Sequence, residues 1–204
     1  MSEPELEYKI AIISASAAII GAVIGALSSL LSAWISRKSA ESGKIDVYCR
    51  FVFTKSFKEG FGIYNSSETS GKVLIVPMWI EVANKSMSTK YIRDFNVIAY
   101  NQKKKVAEFL QIQGINIGKE TEQEFGNHQS YSFVVEGKTI QRFYAEFILH
   151  ESELQETNKV FNTLKARYYE ENGRKKESVI YSSPEPINWE NGAIPYKKEW
   201  ISIK

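Results

Sequence analysis

From Ile10 to Ser36 the chain runs 27 residues without a charged side chain. As a helix this stretch is about 40 Å long, and about 20 apolar residues cross a bilayer's hydrocarbon core. No other feature limits the fold so sharply. A soluble domain of ordinary size has little use for an uncharged helix of that length. A cleaved signal peptide would begin with basic residues and carry a shorter apolar run. Here the start reads MSEPELEYK, which is acidic, and no A-x-A site follows. The stretch 10–36 is therefore expected to be a transmembrane helix. Tyr8 and Trp34 bracket it at the two interfaces, and Arg37 and Lys38 snorkel to headgroups at its end.

Orientation follows from the flanking cations. Lys9 stands alone before the span, whereas Arg37, Lys38, Lys44 and Arg50 follow it. Residues 1–9 should lie outside and the C-terminal domain in the cytoplasm. Cys49 is the single cysteine, so no internal disulfide forms, which suits a reducing compartment.

The span is rich in very small residues. At 100° per residue, Ser14, Ala17, Ala18, Gly21, Gly25, Ser28, Ser29 and Ser32 share an arc of about 120°. Ile12, Ile13, Ile19, Ile20, Val23, Ile24, Leu27, Leu30, Leu31 and Trp34 take the other side. Between helices in lipid, close backbone approach and hydroxyl hydrogen bonds drive association, not apolar bulk. A face of Ser14, Ala17, Gly21, Gly25, Ser28 and Ser32 is expected to pack against a second copy or another membrane helix.

After the linker 37–44, residues 45–204 read as successive strands. IDVYCRFVFTK alternates, with Ile45, Val47, Cys49, Phe51 and Phe53 on one face. GKVLIVPMWIEVANKS is a long apolar strand in which Pro77 predicts a bulge or an edge. YIRDFNVIAYN alternates again, and VAEFLQIQGINIG gives one or two short strands. QSYSFVVEGKTIQRFYAEFILH holds two strands around Glu136-Gly137-Lys138. NTLKARYYEENGRKKESVIYSS is a hairpin with Asn172-Gly173 at the tight turn. SELQETNKVF is the one short helix candidate. The segment from Ser182 carries three of the five prolines and is expected to pack as a tail through Trp189, Tyr196 and Trp200. Seven to nine such strands predict an all-β domain, an Ig-like β-sandwich, with a small β-barrel as the alternative.

Little in this domain suggests chemistry. The chain has 26 basic and 24 acidic residues; without Lys9, Glu3, Glu5 and Glu7 the counts are 25 and 21, too even to argue for nucleic acid. There is no phosphate-binding loop, no His-Glu-x-x-His and no Cys-x-x-Cys, so no cofactor or metal is expected. His128, His150, Asp46 and Asp94 are the only histidines and aspartates, and their spacing supports no nucleophile–base set. His150 reads as a surface or half-buried strand-end residue and Cys49 as core. Glu120, Glu122 and Glu124 alternate and read as a solvated loop. Gln102–Lys105 and Arg174–Lys176 read as basic hairpin tips, and the first is a candidate for touching anionic lipid. Asn65 and Asn84 begin Asn-x-Ser triplets, which matter as glycan acceptors only on a secretory route.

The order VPMWIEVANKSMSTKYIRDFNVIAY, VVEGKTIQRFYAEFIL, LKARYYEENGRKKESVIY resembles the Ig-like sandwich domains of uncharacterised single-pass bacterial membrane proteins. The resemblance covers about two-thirds of the chain. It implies a membrane helix joined to a β-domain that recognises something, and a tie to mobile elements or antiphage loci. The expected function is thus a membrane-anchored, oligomerising module, not an enzyme, that binds a protein or small ligand. The alternative is a membrane-perturbing effector whose β-domain senses a signal and clusters the helices.

Overall fold

The computed structural model describes residues 3–41, 43–53, 60–66, 71–112, 114–117, 120–124, 131–155 and 160–204. The chain divides into two compact units, residues 1–43 and 44–204.

The first unit is helix α1 (Glu3–Glu41). Pro4 stands in its first turn, where a missing N–H has no helical acceptor to lose. No helix stop follows until Gly43, so α1 runs on through Arg37–Glu41, residues that the sequence suggested as linker. Tyr8–Lys38 is long and apolar enough to cross a membrane, and none of its most apolar stretch is buried.

The second unit is built from β1 (Ile45–Phe51), β2 (Gly62–Asn65), β3 (Lys72–Asn84), β4 (Lys90–Asn101), β5 (Lys104–Glu108), β6 (Leu110–Gln111), β7 (Gly114–Ile117) and β8 (Glu120–Glu124). There follow β9 (Phe133–Val135), β10 (Ile140–His150), the single turn α2 (Ser152–Gln155), β11 (Thr163–Glu170), β12 (Lys175–Ser182), β13 (Gly192–Ala193) and β14 (Ile201–Ile203). The strand count exceeds the expected seven to nine because short strands share the edges of long ones.

β3 is the axis of the first sheet. β10 pairs with it from Val73 to Ala83, and β6 extends that side. Along the opposite edge, β2 takes Lys72–Ile75 and β1 takes Met78–Asn84. β13 adds to β2 and β14 adds to β1. Pro77 falls in the gap between β2 and β1. It lies inside the strand, not at the bulge or sheet edge expected of it, and its missing N–H removes no ladder bond there. Its carbonyl accepts from Val52 N at 3.0 Å.

The second sheet runs β12-β11-β4, with β5 and β9 sharing the far edge of β4. β7 and β8 pair only with each other. All pairings are antiparallel. With β1, β3, β4, β5, β6, β10, β11 and β12 read as A, B, C, C′, D, E, F and G, the sheets are A-B-E-D and G-F-C-C′. That is the Ig-like sandwich. Two separate sheets rule out the barrel alternative.

The core lies between the sheets. Alternation turns Val47, Cys49 and Phe51 inward from β1, and Leu74, Val76, Met78, Ile80 and Val82 from β3. Phe53 lies beyond the end of β1 and is 57% exposed, contrary to the expected pattern. β4 changes parity: Ile92 points inward, and so do Phe95, Val97 and Ala99. The switch occurs at Asp94, whose φ is 50°, where the pairing with β11 slips between Arg167 and Tyr169. Phe95 meets Phe147 across the core at 6.0 Å between ring centroids, and Phe61 meets Tyr181 at 5.1 Å. Phe61, Phe95 and Phe147 are fully buried, and each contributes about 1.5–3 kcal/mol of transfer free energy.

Candidate functional site

Helix α1 is continuous, so its backbone carries Ser14, Ala17, Gly21, Gly25, Ser28 and Ser32 along one side. A Cβ added at Gly21 or Gly25 would meet nothing within 4 Å. The Ser29 hydroxyl donates to the Gly25 carbonyl at 2.9 Å, which satisfies it within the helix. At the end of the apolar run the Lys38 ammonium sits 4.9 Å from the centre of the Trp34 ring. The pair is one turn apart, with the cation over the aromatic ring. Tyr8 is exposed at the other end.

Among the described residues, Asp46, Asp94 and His150 stand apart from one another. His150 ends β10 opposite Val73, half-buried, with its Nδ1 buried and unbonded. Asp46 lies opposite Ala83, at the other end of β3, and pairs with Lys85 at 2.5 Å. Asp94 is on the second sheet and pairs with Arg167 at 2.9 Å. His128 lies outside the described residues. Cys49 is 1% exposed, and burial pushes its thiol up to about 12. Glu120, Glu122 and Glu124 fall on strand β8 instead of a loop, and the pairing of β8 with β7 shifts register between Ile115 and Asn116. Among the described residues no group of three or more His, Cys, Asp or Glu is arranged to hold a metal.

The two basic tips lie at opposite ends of the sandwich. The turn after Asn101 joins β4 to β5, and the Asn172-Gly173 turn lies beside the start of β4, where Glu170 faces Ile92. Twelve residues of strand separate them, about 35 Å or more. Gly173 has φ 80°, as the tight turn requires.

The two Asn-x-Ser triplets also differ. Asn65 ends β2 in solvent. Asn84 is buried, and its amide donates to the carbonyls of Ser88 at 2.9 Å, Val135 at 2.9 Å and Glu136 at 3.1 Å. Its Oδ1 accepts from Ser86 N at 3.0 Å and Ser86 Oγ at 2.6 Å. Asn84 thus pins the turn 85–89 to the turn 136–139. Lys138 N donates to the Ser86 carbonyl at 2.9 Å, and Lys85 N donates to the Lys44 carbonyl at 3.0 Å. Three polypeptide segments are tied together at this end.

On the outer face of the first sheet, the Trp200 ring is flanked by two guanidinium groups. Arg50 lies 4.9 Å from its centre and Arg142 lies 5.3 Å away. Arg142 also pairs with Glu81 at 2.6 Å. Among the described residues no carboxylate pairs with Arg50 or Lys198. These two cations line a shallow depression of about 190 Å³ with Phe51, Val52, Phe53 and Tyr196. Aromatic rings beside cations that no described carboxylate pairs with suit an acidic group attached to an apolar body. The sequence pointed to Trp200 as a packing residue of the tail, but not to its partners.

The outer face of the second sheet is different in kind, because its charges are spent on one another. Arg167 pairs with both Asp94 and Glu108. Glu177 takes Lys165 at 2.9 Å and the Tyr100 hydroxyl at 3.0 Å. Burial alone would raise Glu108, but hydrogen bonds from Lys105 and Arg167 outweigh it and hold its carboxyl below the usual range. The same balance, with Lys165 and Tyr100 as donors, lowers Glu177. At Asp94 burial wins over Arg167, and its carboxyl titrates higher than usual. Such a network covers Ile98 and Asn96 and leaves few groups for a ligand.

The chain matches no protein-family model and no curated protein, so its function rests on the geometry above.

Proposed function

We propose that this protein is a single-pass, membrane-anchored binding module. Helix α1 crosses the membrane with residues 1–9 outside and the sandwich in the cytoplasm. Copies associate through the face of Ser14, Ala17, Gly21, Gly25, Ser28 and Ser32. The sandwich recognises a protein or small ligand that presents an acidic group beside an apolar one to Arg50, Lys198, Trp200 and Tyr196. The observation that carries this reading is α1 itself: the most apolar stretch of Tyr8–Lys38 is wholly exposed, and a lipid bilayer is the solvent that suits it. The Ig-like sandwich supports a recognition role as a scaffold whose faces and loops are free to vary.

The test uses the full chain in vesicles, with donor and acceptor dyes on separate copies. Energy transfer should be strong for the native helix and should vanish for Gly21→Leu with Gly25→Leu, because leucine prevents the backbones from approaching. Transfer that survives both substitutions rejects association through this face. Orientation is read in sealed right-side-out cells, where the sandwich should survive added protease; its digestion would reverse the assignment. Depolarisation of cells by the native chain, but not by the double variant, would replace the binding module with the membrane-perturbing effector.

A further inference from the structure

The end of the sandwich that begins β1 carries an exposed apolar side chain among lysines. Met87, in the turn 85–89, is 68% exposed, and Ile140, at the start of β10, is 69% exposed. Neither is in a loose segment. The Met87 carbonyl lies against Gly137 so closely that an added Cβ there would come within 2.2 Å of it. Asn84 holds the turn from below with the hydrogen bonds already described. Lys44, Lys85 and Lys138 are all exposed around it. The Lys138 ammonium donates to the Lys85 carbonyl at 2.8 Å, so the two lysines are neighbours. The acidic groups at this end are Asp46, which pairs with Lys85 at 2.5 Å, Glu136, and on the neighbouring β11–β12 turn Glu170 and Glu171, which pair with Lys176 at 3.7 Å and Lys90 at 3.9 Å. Lysines therefore outnumber carboxylates here.

Only residues 42 and 43 lie between the end of α1 at Glu41 and Lys44 at this end of the sandwich. The uncharged run ends at Ser36 and the helix at Glu41, which adds about 7 Å. From Glu41 to Lys44 the chain can reach at most about 10 Å further, and the Lys44 carbonyl is already bonded to Lys85 N at 3.0 Å. The turn 85–89 is thus bonded to the residue three positions after α1 ends. The basic tip at Gln102–Lys105, the earlier candidate for lipid contact, is at the far end of β4.

We propose that the turn 85–89 is a membrane-docking tip. Met87 enters the headgroup layer, and Lys44, Lys85 and Lys138 lie on anionic lipid. This rests on α1 crossing the membrane. Each lysine near an anionic surface contributes about 1 kcal/mol, and the contact would fix the height and tilt of the sandwich above the bilayer.

The full chain, reconstituted in vesicles with about one-third phosphatidylglycerol in phosphatidylcholine, tests this. An environment-sensitive dye goes on Met87→Cys, on Lys103→Cys at the far tip, or on Ile24→Cys inside α1; buried Cys49 does not compete for it. With a quencher carried on lipid headgroups, quenching at position 87 should exceed that at 103 by at least about three-fold. Reversing Lys44, Lys85 and Lys138 to Glu should lower it by half or more. Equal quenching at 87 and 103, or quenching at 87 that charge reversal leaves unchanged, overturns the proposal. The Ile24 dye with a mid-bilayer quencher separates the two claims. If it is quenched while 87 is not, the tip is wrong and the anchor stands; if it is not quenched, the anchor fails and takes the tip with it.

Discussion

Replacing Asn84 by alanine should cost the sandwich far more than any surface change. The Asn84 side chain makes five hydrogen-bond contacts, three as donor and two as acceptor. It has only two N–H bonds, so four independent hydrogen bonds are lost, at about 1 kcal/mol net each. Ser88 and Glu136 border solvent and can recruit water. The Val135 carbonyl and the Ser86 N–H are buried at their contacts with Asn84 and are left unsatisfied, at about 1–3 kcal/mol each. Allowing for overlap between the two sums, the expected loss is about 3–4 kcal/mol, or a fall of about 10 °C in Tm for a domain of this size. The measurement is thermal and urea unfolding of the full chain in detergent, followed by tryptophan fluorescence. Asn65→Ala, at the exposed end of β2, is the matched control and should change stability by no more than about 0.5 kcal/mol. A loss at Asn84 of less than about 1 kcal/mol would refute the reasoning, since it would mean that water replaces the pin.

Gly137→Ala should destabilise by about 2–4 kcal/mol, measured in the same way, because its Cβ would stand 2.2 Å from the Met87 carbonyl oxygen and the atoms it meets are backbone. Cys49 should resist iodoacetamide in the native chain at about pH 8 and react fully in concentrated urea, because its buried thiol stays protonated. The raised thiol also has a linkage sign: its contribution is complete below the usual 9.0 and is lost as pH rises toward about 12, so alkaline denaturation should soften in Cys49→Ala. Glu108 and Glu177 act in the opposite direction. Their lowered values stabilise the fold above the usual 4.5 and lose that effect as pH falls through them, so Glu108→Gln with Glu177→Gln should flatten acid denaturation below that pH.

Local patterns were legible where one strand faces one core. β1 follows from alternation and the β11–β12 hairpin from Asn172-Gly173, β4 follows alternation only as far as the parity change at Asp94, and the helix follows from its missing charges. What failed depends on distant partners. Glu136-Gly137-Lys138 looks like a hairpin turn, yet β9 joins the second sheet and β10 the first. Pro77 suggests an edge because its interior position requires that β2 and β1 leave a gap, and that gap is tertiary. β13 and β14 are two and three residues long, too short for any period, so the tail concealed two strands. The patch at Trp200 was invisible because Arg50 and Arg142 come from opposite parts of the chain. At Asn84 the signal was present but ambiguous, since Asn-x-Ser reads equally as a turn and as a glycan acceptor. Burial decides between them, because a fully bonded amide is not available to be modified in the folded domain.

The pairing of β1 with β14 has a consequence for biosynthesis. Val47 lies opposite Ile203, so an early strand waits for a partner more than 150 residues later. At about 5–20 residues per second, the ribosome leaves that flank of β1 without its partner for some ten to thirty seconds. During that interval α1 has already left the exit tunnel, and nascent chains on neighbouring ribosomes are held close together. An unpaired strand flank under those conditions is a site for cross-pairing between copies. Segment 201–203 therefore acts late and as a seal: it ends the period in which the newborn domain can mispair.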